Sequence, residues 1–193
     1  MKYNYLIYIG RFQPFHNGHK YIIEEGLKIS NNIIIFCGSR NQTRTLKNTF
    51  TYTERRKCIL NSFSELYTNK IHVAPLDDCE NDIEWVKNVE KKVQKIIENT
   101  PENKVALIGH TKDHSCYYLK LFEKWKYFER ENFADIDATY IRNVIFNTND
   151  KYKIENTIKK LVPPEVLNFI LDFLYTKHYT DLQNLYNITK CII

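Results

Sequence analysis

No stretch of this chain approaches the ~18 consecutive apolar residues that a bilayer span requires. The first nine residues lack a small-residue cleavage site and run straight into a motif, so neither membrane insertion nor secretion is expected. Paired cysteines are missing too. Cys37, Cys58, Cys79, Cys116 and Cys191 are odd in number and widely spaced, with no C-x-x-C among them. That excludes a disulfide framework or a zinc knuckle and points to reduced thiols in a cytoplasmic protein. Charge of one sign is weak: the net +5 is interrupted by the acidic stretch at 77–82, so composition gives no case for a nucleic-acid partner. Glycine and proline number only five each, a background feature alongside heavy use of Lys, Asn, Ile and Tyr. What is present is enough to build a core. With 43% hydrophobic and 14% aromatic residues over 193 positions, the chain suits one ordered domain.

Short apolar runs alternate with amphipathic ones through the first half. Residues 5–9, 33–37, 71–74 and 104–109 read as strands, three of them stopping at or just before glycine. Residues 19–29 read as a helix, and Thr51-Tyr52-Thr53-Glu54 has the capping-box form that opens another through about Leu66. Over 82–99, Ile83, Val86, Val89, Val93, Ile96 and Ile97 recur at helical steps. Strand–helix–strand repetition implies an α/β, doubly wound parallel sheet with helices on both faces and ligands beyond the carboxyl ends of its strands. Past Tyr140 the pattern turns helical, with Pro163-Pro164 starting one helix. The expected organisation is a single domain over 1–193: a core to about residue 147 and a helical extension over about 148–193.

The loop from Gly10 to His19 holds a cation, two imidazoles three residues apart and two glycines. Asn17, or the backbone near Gly18, is placed to cap the following helix. Its free N–H groups and positive dipole end then face the loop, which makes an anion site. Two histidines there can donate to phosphate oxygens, and Gly18 lets a phosphate approach the backbone. Taken alone, histidines at this spacing are as often structural. Neither the Walker A pattern nor G-x-G-x-x-G is present, so this is a different phosphate cradle.

His16-Asn17-Gly18-His19 resembles the H-x-G-H signature of the nucleotidyltransferase superfamily. The longer Gly10–His19 string is similar to that of archaeal-type nicotinamide mononucleotide adenylyltransferases and their Nudix-fused bacterial relatives. The resemblance implies a Rossmann-like fold and continues in order along the chain. Gly38-Ser39, Arg44, the Lys47-Asn48-Thr49-Phe50-Thr51 run and Glu54-Arg55 are similar to the block after the second strand. Thr49 replaces a proline there, a change expected to loosen the loop and keep its donors; Arg40, Arg44 and Lys47 are expected to meet phosphate. Asn81-Asp82 and Trp85 resemble a segment that holds the nicotinamide group, although Trp85 reads equally well as a core anchor. Gly109-His110 with Lys112-Asp113 is similar to a stretch of the fused relatives; Thr111 and Asp113 also suit helix caps. Asp137-Ala138-Thr139-Tyr140-Ile141-Arg142 stands at the second superfamily signature, with Asp137 in place of serine. No Nudix box occurs.

The resemblance implies attack by the phosphate of nicotinamide mononucleotide on the α-phosphorus of ATP, forming NAD and pyrophosphate. Such chemistry rests on positioning and charge stabilisation. His16, His19, Arg11, Lys47 and Arg142 carry the catalytic role in this reading. Gly10, Arg11, Phe12, His16, Gly18, His19, Gly109, Asp137, Thr139 and Arg142 bind ATP. Gly38, Ser39, Asn48, Phe50, Asn81, Asp82, Trp85, His110, Lys112 and Asp113 bind the mononucleotide. Mg2+ comes with the ATP phosphates, with no protein cage. His19→Ala is expected to lower kcat by at least about 10²–10³ with folding unchanged. Another acceptor (nicotinate mononucleotide, phosphopantetheine, glycerol 3-phosphate) and a non-catalytic nucleotide sensor are the competing readings. A homo-oligomer is carried over by analogy alone.

Overall fold

The computed structural model describes residues 2–98, 102–110, 120–131 and 133–190. The chain divides into two compact units. One comprises Met1–Gly10, Tyr21–Gln42 and Ser64–Asn132; the other comprises Arg11–Lys20, Thr43–Phe63 and Phe133–Ile193.

The first unit is built on a five-stranded sheet in the order β3-β2-β1-β4-β5. Its strands are β1 (Tyr3–Gly10), β2 (Ser30–Cys37), β3 (Ile71–Pro75), β4 (Val105–Gly109) and β5 (Lys126–Glu129), and every pairing is parallel. Leu6, Ile7, Ile33, Ile34, Ile35 and Phe36 are wholly or almost wholly buried, as expected where a parallel sheet is covered on both faces. Alternation sorts them. Ile7, Ile9, Ile34, Phe36 and Leu107 pack with Val89 and Val93 of α4 (Asp82–Ile96). On the other face Leu6, Ile33 and Ile108 approach Gly26 of α1 (Asn17–Ile29). A Cβ on Gly26 would stand 3.2 Å from Ile33, so glycine sets how closely the helix lies on the strands. The strand order reverses between β1 and β4, the kind of switch point where open α/β sheets take ligands.

Two expectations differ from the structure here. The fifth strand went unread because Lys126-Tyr127-Phe128-Glu129 is a four-residue edge with charged ends and no apolar run. Ile83, assigned to the α4 stripe, is 71% exposed. The short helix α3 (Glu65–Thr68) completes the described helices of this unit.

The second unit is helical. It contains α2 (Tyr52–Asn61), α5 (Ala138–Phe146), α6 (Lys151–Ile158), α7 (Pro164–Phe173) and α8 (Lys177–Lys190), together with the first residues of α1. The capping box at Thr51 forms as expected. α2 stops at Asn61, short of the expected Leu66, because the Ser62 hydroxyl turns back to the Cys58 carbonyl at 2.7 Å and caps it. Pro163 and Pro164 open α7, where missing N–H groups do no harm. Ile141, Ile145, Ile154, Ile158, Val166 and Ile170 are fully buried and form the helical core. Among the described residues no helix is long and apolar enough to cross a membrane.

Candidate active site

The second unit gathers the phosphate-type residues. His16 and His19 cap α1 reciprocally. The His19 N–H donates to Nδ1 of His16 at 3.4 Å, and the His16 N–H donates to Nδ1 of His19 at 3.3 Å. This is the geometry of a capping box made from two imidazoles, with His16 as the cap. The rings stack with centroids 3.6 Å apart. Because both Nδ1 atoms accept, hydrogen bonding assigns the ring protons to Nε2. Asn17, expected as a cap, does something else. Its N–H and side-chain amide donate to the carbonyls of Leu161 at 2.9 Å and Lys160 at 3.0 Å, tying the start of α1 to the turn after α6. Gly18 also has a specific reason to lack a side chain: a Cβ there would meet the His16 ring at 3.1 Å.

Upstream, Phe12 sits at φ 53°, a left-handed conformation that costs a bulky residue about 1–3 kcal/mol. The carbonyls on both sides of it are held. Arg55 donates to Arg11 O at 2.6 Å, and Arg142 donates to Gln13 O at 2.6 Å. Phe12 itself is 1% exposed and packs edge-on to His19. Its ring is core, which leaves only its main chain for a ligand.

Arg142 also donates to the Thr139 hydroxyl at 3.1 Å from its position on α5. Burial, followed by the nearby Arg11 guanidinium, pushes its pKa down, and Asp137 offsets this in part. Asp137 caps α5, its carboxylate accepting the Thr139 N–H at 2.7 Å. The aspartate therefore serves the helix as a serine would, while adding a negative charge.

The 44–51 loop departs from the expectation of free cations and a loosened backbone. Arg44 donates to Thr49 O and to Glu54, each at 2.7 Å, and lies over the Phe173 ring. Burial opposes ionisation of Glu54, but hydrogen bonds from Arg44 and Thr51 outweigh it and hold its pKa below the ordinary value. Thr49 is fully buried with its hydroxyl closed onto Leu46 O, so the loop is tight without proline. Phe50 is 3% exposed against Phe169 and Phe173 and belongs to the core. Lys47 is exposed, with no ion pair among the described residues. The Asn48 N–H is taken by the Thr45 hydroxyl. Its side-chain Oδ1 is buried and accepts no hydrogen bond among the described residues.

The first unit gathers the remaining positions at the carboxyl ends of its strands. Gly10 O accepts the Gly38 N–H, and Gly109 O accepts the Arg130 N–H. Ser39, at φ 52°, donates to Asp78 at 3.1 Å. Arg40 pairs with Asp77 at 2.6 Å, and Asn41 exchanges two hydrogen bonds with the Asp78 main chain. The loops after β2 and β3 are thus latched together, and Arg40, like Arg44, is engaged by protein. Asn81 caps α4 through the Glu84 N–H at 2.9 Å, with Asp82 as the first helical residue. Trp85 packs against Phe122 at 5.7 Å and on the sheet core, which realises its anchor reading. His110 follows β4, half-buried. Lys112 and Asp113 lie outside the described residues. Among the described residues no group of three or more His, Cys, Asp or Glu is disposed to hold a metal ion.

Sequence reasoning gave no role to Gln13 or Arg55, although both stand inside the quoted motifs. Their signal was polarity at positions that the fold buries to 3% and 2%.

Comparison with known proteins bears on the family and the fold. Residues 7–164 match the family described as cytidylyltransferase-like. A protein of Acinetobacter baylyi named nicotinamide/nicotinic acid mononucleotide adenylyltransferase is 38% identical, over 96% of this chain and 94% of its own. A nicotinamide-nucleotide adenylyltransferase of Methanococcus aeolicus is 34% identical, over 84% of this chain and 85% of its own. Among solved structures, a bifunctional NMN adenylyltransferase/ADP ribose pyrophosphatase from Francisella tularensis, complexed with AMP and Mn ion, superposes with TM-score 0.80 at 29% identity. That match covers 96% of this chain and 53% of the other, so the present chain spans about half the Francisella protein.

Proposed function

Since this chain belongs to the cytidylyltransferase-like family of nucleotidyltransferases, we propose that it is a nicotinamide-nucleotide adenylyltransferase, joining nicotinamide mononucleotide to the adenylyl group of ATP with release of pyrophosphate. The observation that carries this reading is the reciprocal cap of His16 and His19, with Arg11 and Arg142 held in the same unit. The cap commits both Nδ1 atoms to the backbone and assigns a proton to each Nε2, which makes the rings hydrogen-bond donors suited to phosphate oxygens.

In this reading Arg11, Arg142, His16 and His19 take the triphosphate and stabilise charge on the α-phosphate and the leaving pyrophosphate. Thr139 and the first turn of α5 add donors, and Gly18, with no side chain, leaves the backbone at the start of α1 open to the nucleotide. Lys47 contributes a mobile charge. No nucleophile of the protein is needed: one acceptor phosphate oxygen forms the new bond to the α-phosphorus as the bridging oxygen to pyrophosphate departs. A divalent ion, Mg2+ in this reading, would come with the nucleotide and help to neutralise its phosphate charge.

Two features support the amide over the acid mononucleotide. The segment from Asp77 through Asp78, Glu80 and Asp82 to Glu84 is rich in carboxylates, which repel an acid ring and tolerate a carboxamide. The buried Oδ1 of Asn48 calls for a donor, and a carboxamide N–H in that place would favour the amide, since a carboxylate supplies none.

The test is incubation with Mg-ATP and each acceptor separately, following pyrophosphate and dinucleotide. NAD forming faster than its acid analogue is the expected result. ATP binding without turnover on any acceptor would sink the enzyme reading, and faster use of nicotinate mononucleotide would sink the amide assignment.

A further inference from the structure

We propose that Gln13 is a positioning residue of this site, keying the 44–51 loop and Arg142 to the histidine-bearing loop that follows β1. Its activity arm rests on the adenylyltransferase reading above.

Gln13 is 3% exposed, and a polar side chain so buried is retained for its hydrogen bonds. Both amide atoms are spent on one residue 37 positions away. Nε2 donates to Phe50 O at 2.7 Å, and Oε1 accepts the Phe50 N–H at 2.8 Å. The side-chain amide thus acts as the missing strand partner of an isolated piece of loop. The main-chain carbonyl of the same residue receives Arg142 at 2.6 Å. Residues 11–16, the 44–51 loop and the first turns of α5 share no sheet or helix of their own. Gln13 is where all three are joined.

The arrangement has local consequences. Phe50 follows Lys47 and Asn48, so fixing its backbone fixes where that cation and that buried acceptor stand. The bond from Arg142 helps retain the left-handed turn at Phe12, as Arg55 does from its other side. A methionine would fill the same volume with no hydrogen bond, so filling space does not by itself explain glutamine here. Misplacement of catalytic groups by about 1 Å can cost about 10²-fold in rate, which sets the scale expected.

The experiment compares Gln13→Met and Gln13→Glu with wild type in the full chain. It reads amide hydrogen exchange by residue, with kcat and the KM for ATP. Gln13→Met is expected to speed exchange at Phe50 and its neighbours while the sheet stays protected. Its kcat should fall about 10²-fold and its KM for ATP should move less than about threefold. Gln13→Glu keeps an acceptor for the Phe50 N–H, so that amide should stay slow. Wild-type exchange at Phe50 or undiminished kcat in Gln13→Met overturns the proposal. So does failure of both variants to fold, which would make Gln13 a requirement of the fold as a whole. If wild type makes no dinucleotide, the adenylyltransferase reading is lost while the exchange comparison still decides what Gln13 holds.

Discussion

His16 and His19 each take the other's main-chain N–H on Nδ1, so the two rings start a helix with the same atoms that settle where their protons lie. Structural and chemical roles meet in one pair of side chains. This modifies the expectation that His19→Ala leaves folding untouched, because alanine removes a cap acceptor as well as the Nε2–H donor.

Asparagine separates the two roles. Its Oδ1 stands near the position of the imidazole Nδ1, and it has nothing at the position of Nε2. His19→Asn should retain more stability than His19→Ala, by up to ~1 kcal/mol, the usual scale of a cap. Both variants should lose about 10²–10³ in kcat. Thermal melts and steady-state rates measured together decide the matter. Equal melting of the two variants would remove the cap, and a fully active His19→Asn would remove the donor role.

Asp137 sets an anion at the start of α5, beside the arginine proposed to meet phosphate. Serine caps as well as aspartate does, without the charge. Asp137→Ser should therefore lower the KM for ATP about three- to tenfold, which corresponds to ~1 kcal/mol, and leave the melting temperature nearly unchanged. An unchanged or higher KM would show that the carboxylate does not compete with nucleotide.

The sheet was legible because buried parallel strands write themselves as apolar runs, as in Ile33-Ile34-Ile35-Phe36. β5 was not, since two aromatics between charges carry no run. At the site, residue types and order could be read, but partners could not. Nothing in the spacing of Arg44 tells that Glu54 and Thr49 O would take its guanidinium, while Lys47 three positions on stays in solvent. Phe12 and Phe50 read as ligand contacts because they lie inside motifs. Packing buries both rings, that of Phe12 against its near neighbours Phe15 and His19 and that of Phe50 against the distant Phe169 and Phe173.

Glu54 links the fold to pH. Its carboxyl titrates below the ordinary value of 4.5, so the ionised form is favoured by the folded state. The associated stability is complete above the unfolded carboxylate range and drains away as pH falls through the folded value. Glu54→Gln should melt lower than wild type at pH 7, and the gap should narrow steadily as pH falls below the ordinary carboxylate range towards pH 3. A constant gap across that range would show that the pairing with Arg44 is not what stabilises the loop.

Phe173 shows how the helical extension reaches the site. It is 3% exposed on α7, edge-on to Phe50 at 5.1 Å and beneath the Arg44 guanidinium at 5.8 Å. Phe173→Ala leaves a cavity under the 44–51 loop and should cost about 3–5 kcal/mol in urea denaturation. Phe173→Leu, which refills most of the volume, should recover the larger part. Because the loop carries Lys47 and Asn48, the alanine variant should also lose turnover under conditions where it remains folded. A loss below ~1 kcal/mol would mean that the loop keeps its shape without α7, and the extension would then have no bearing on the chemistry.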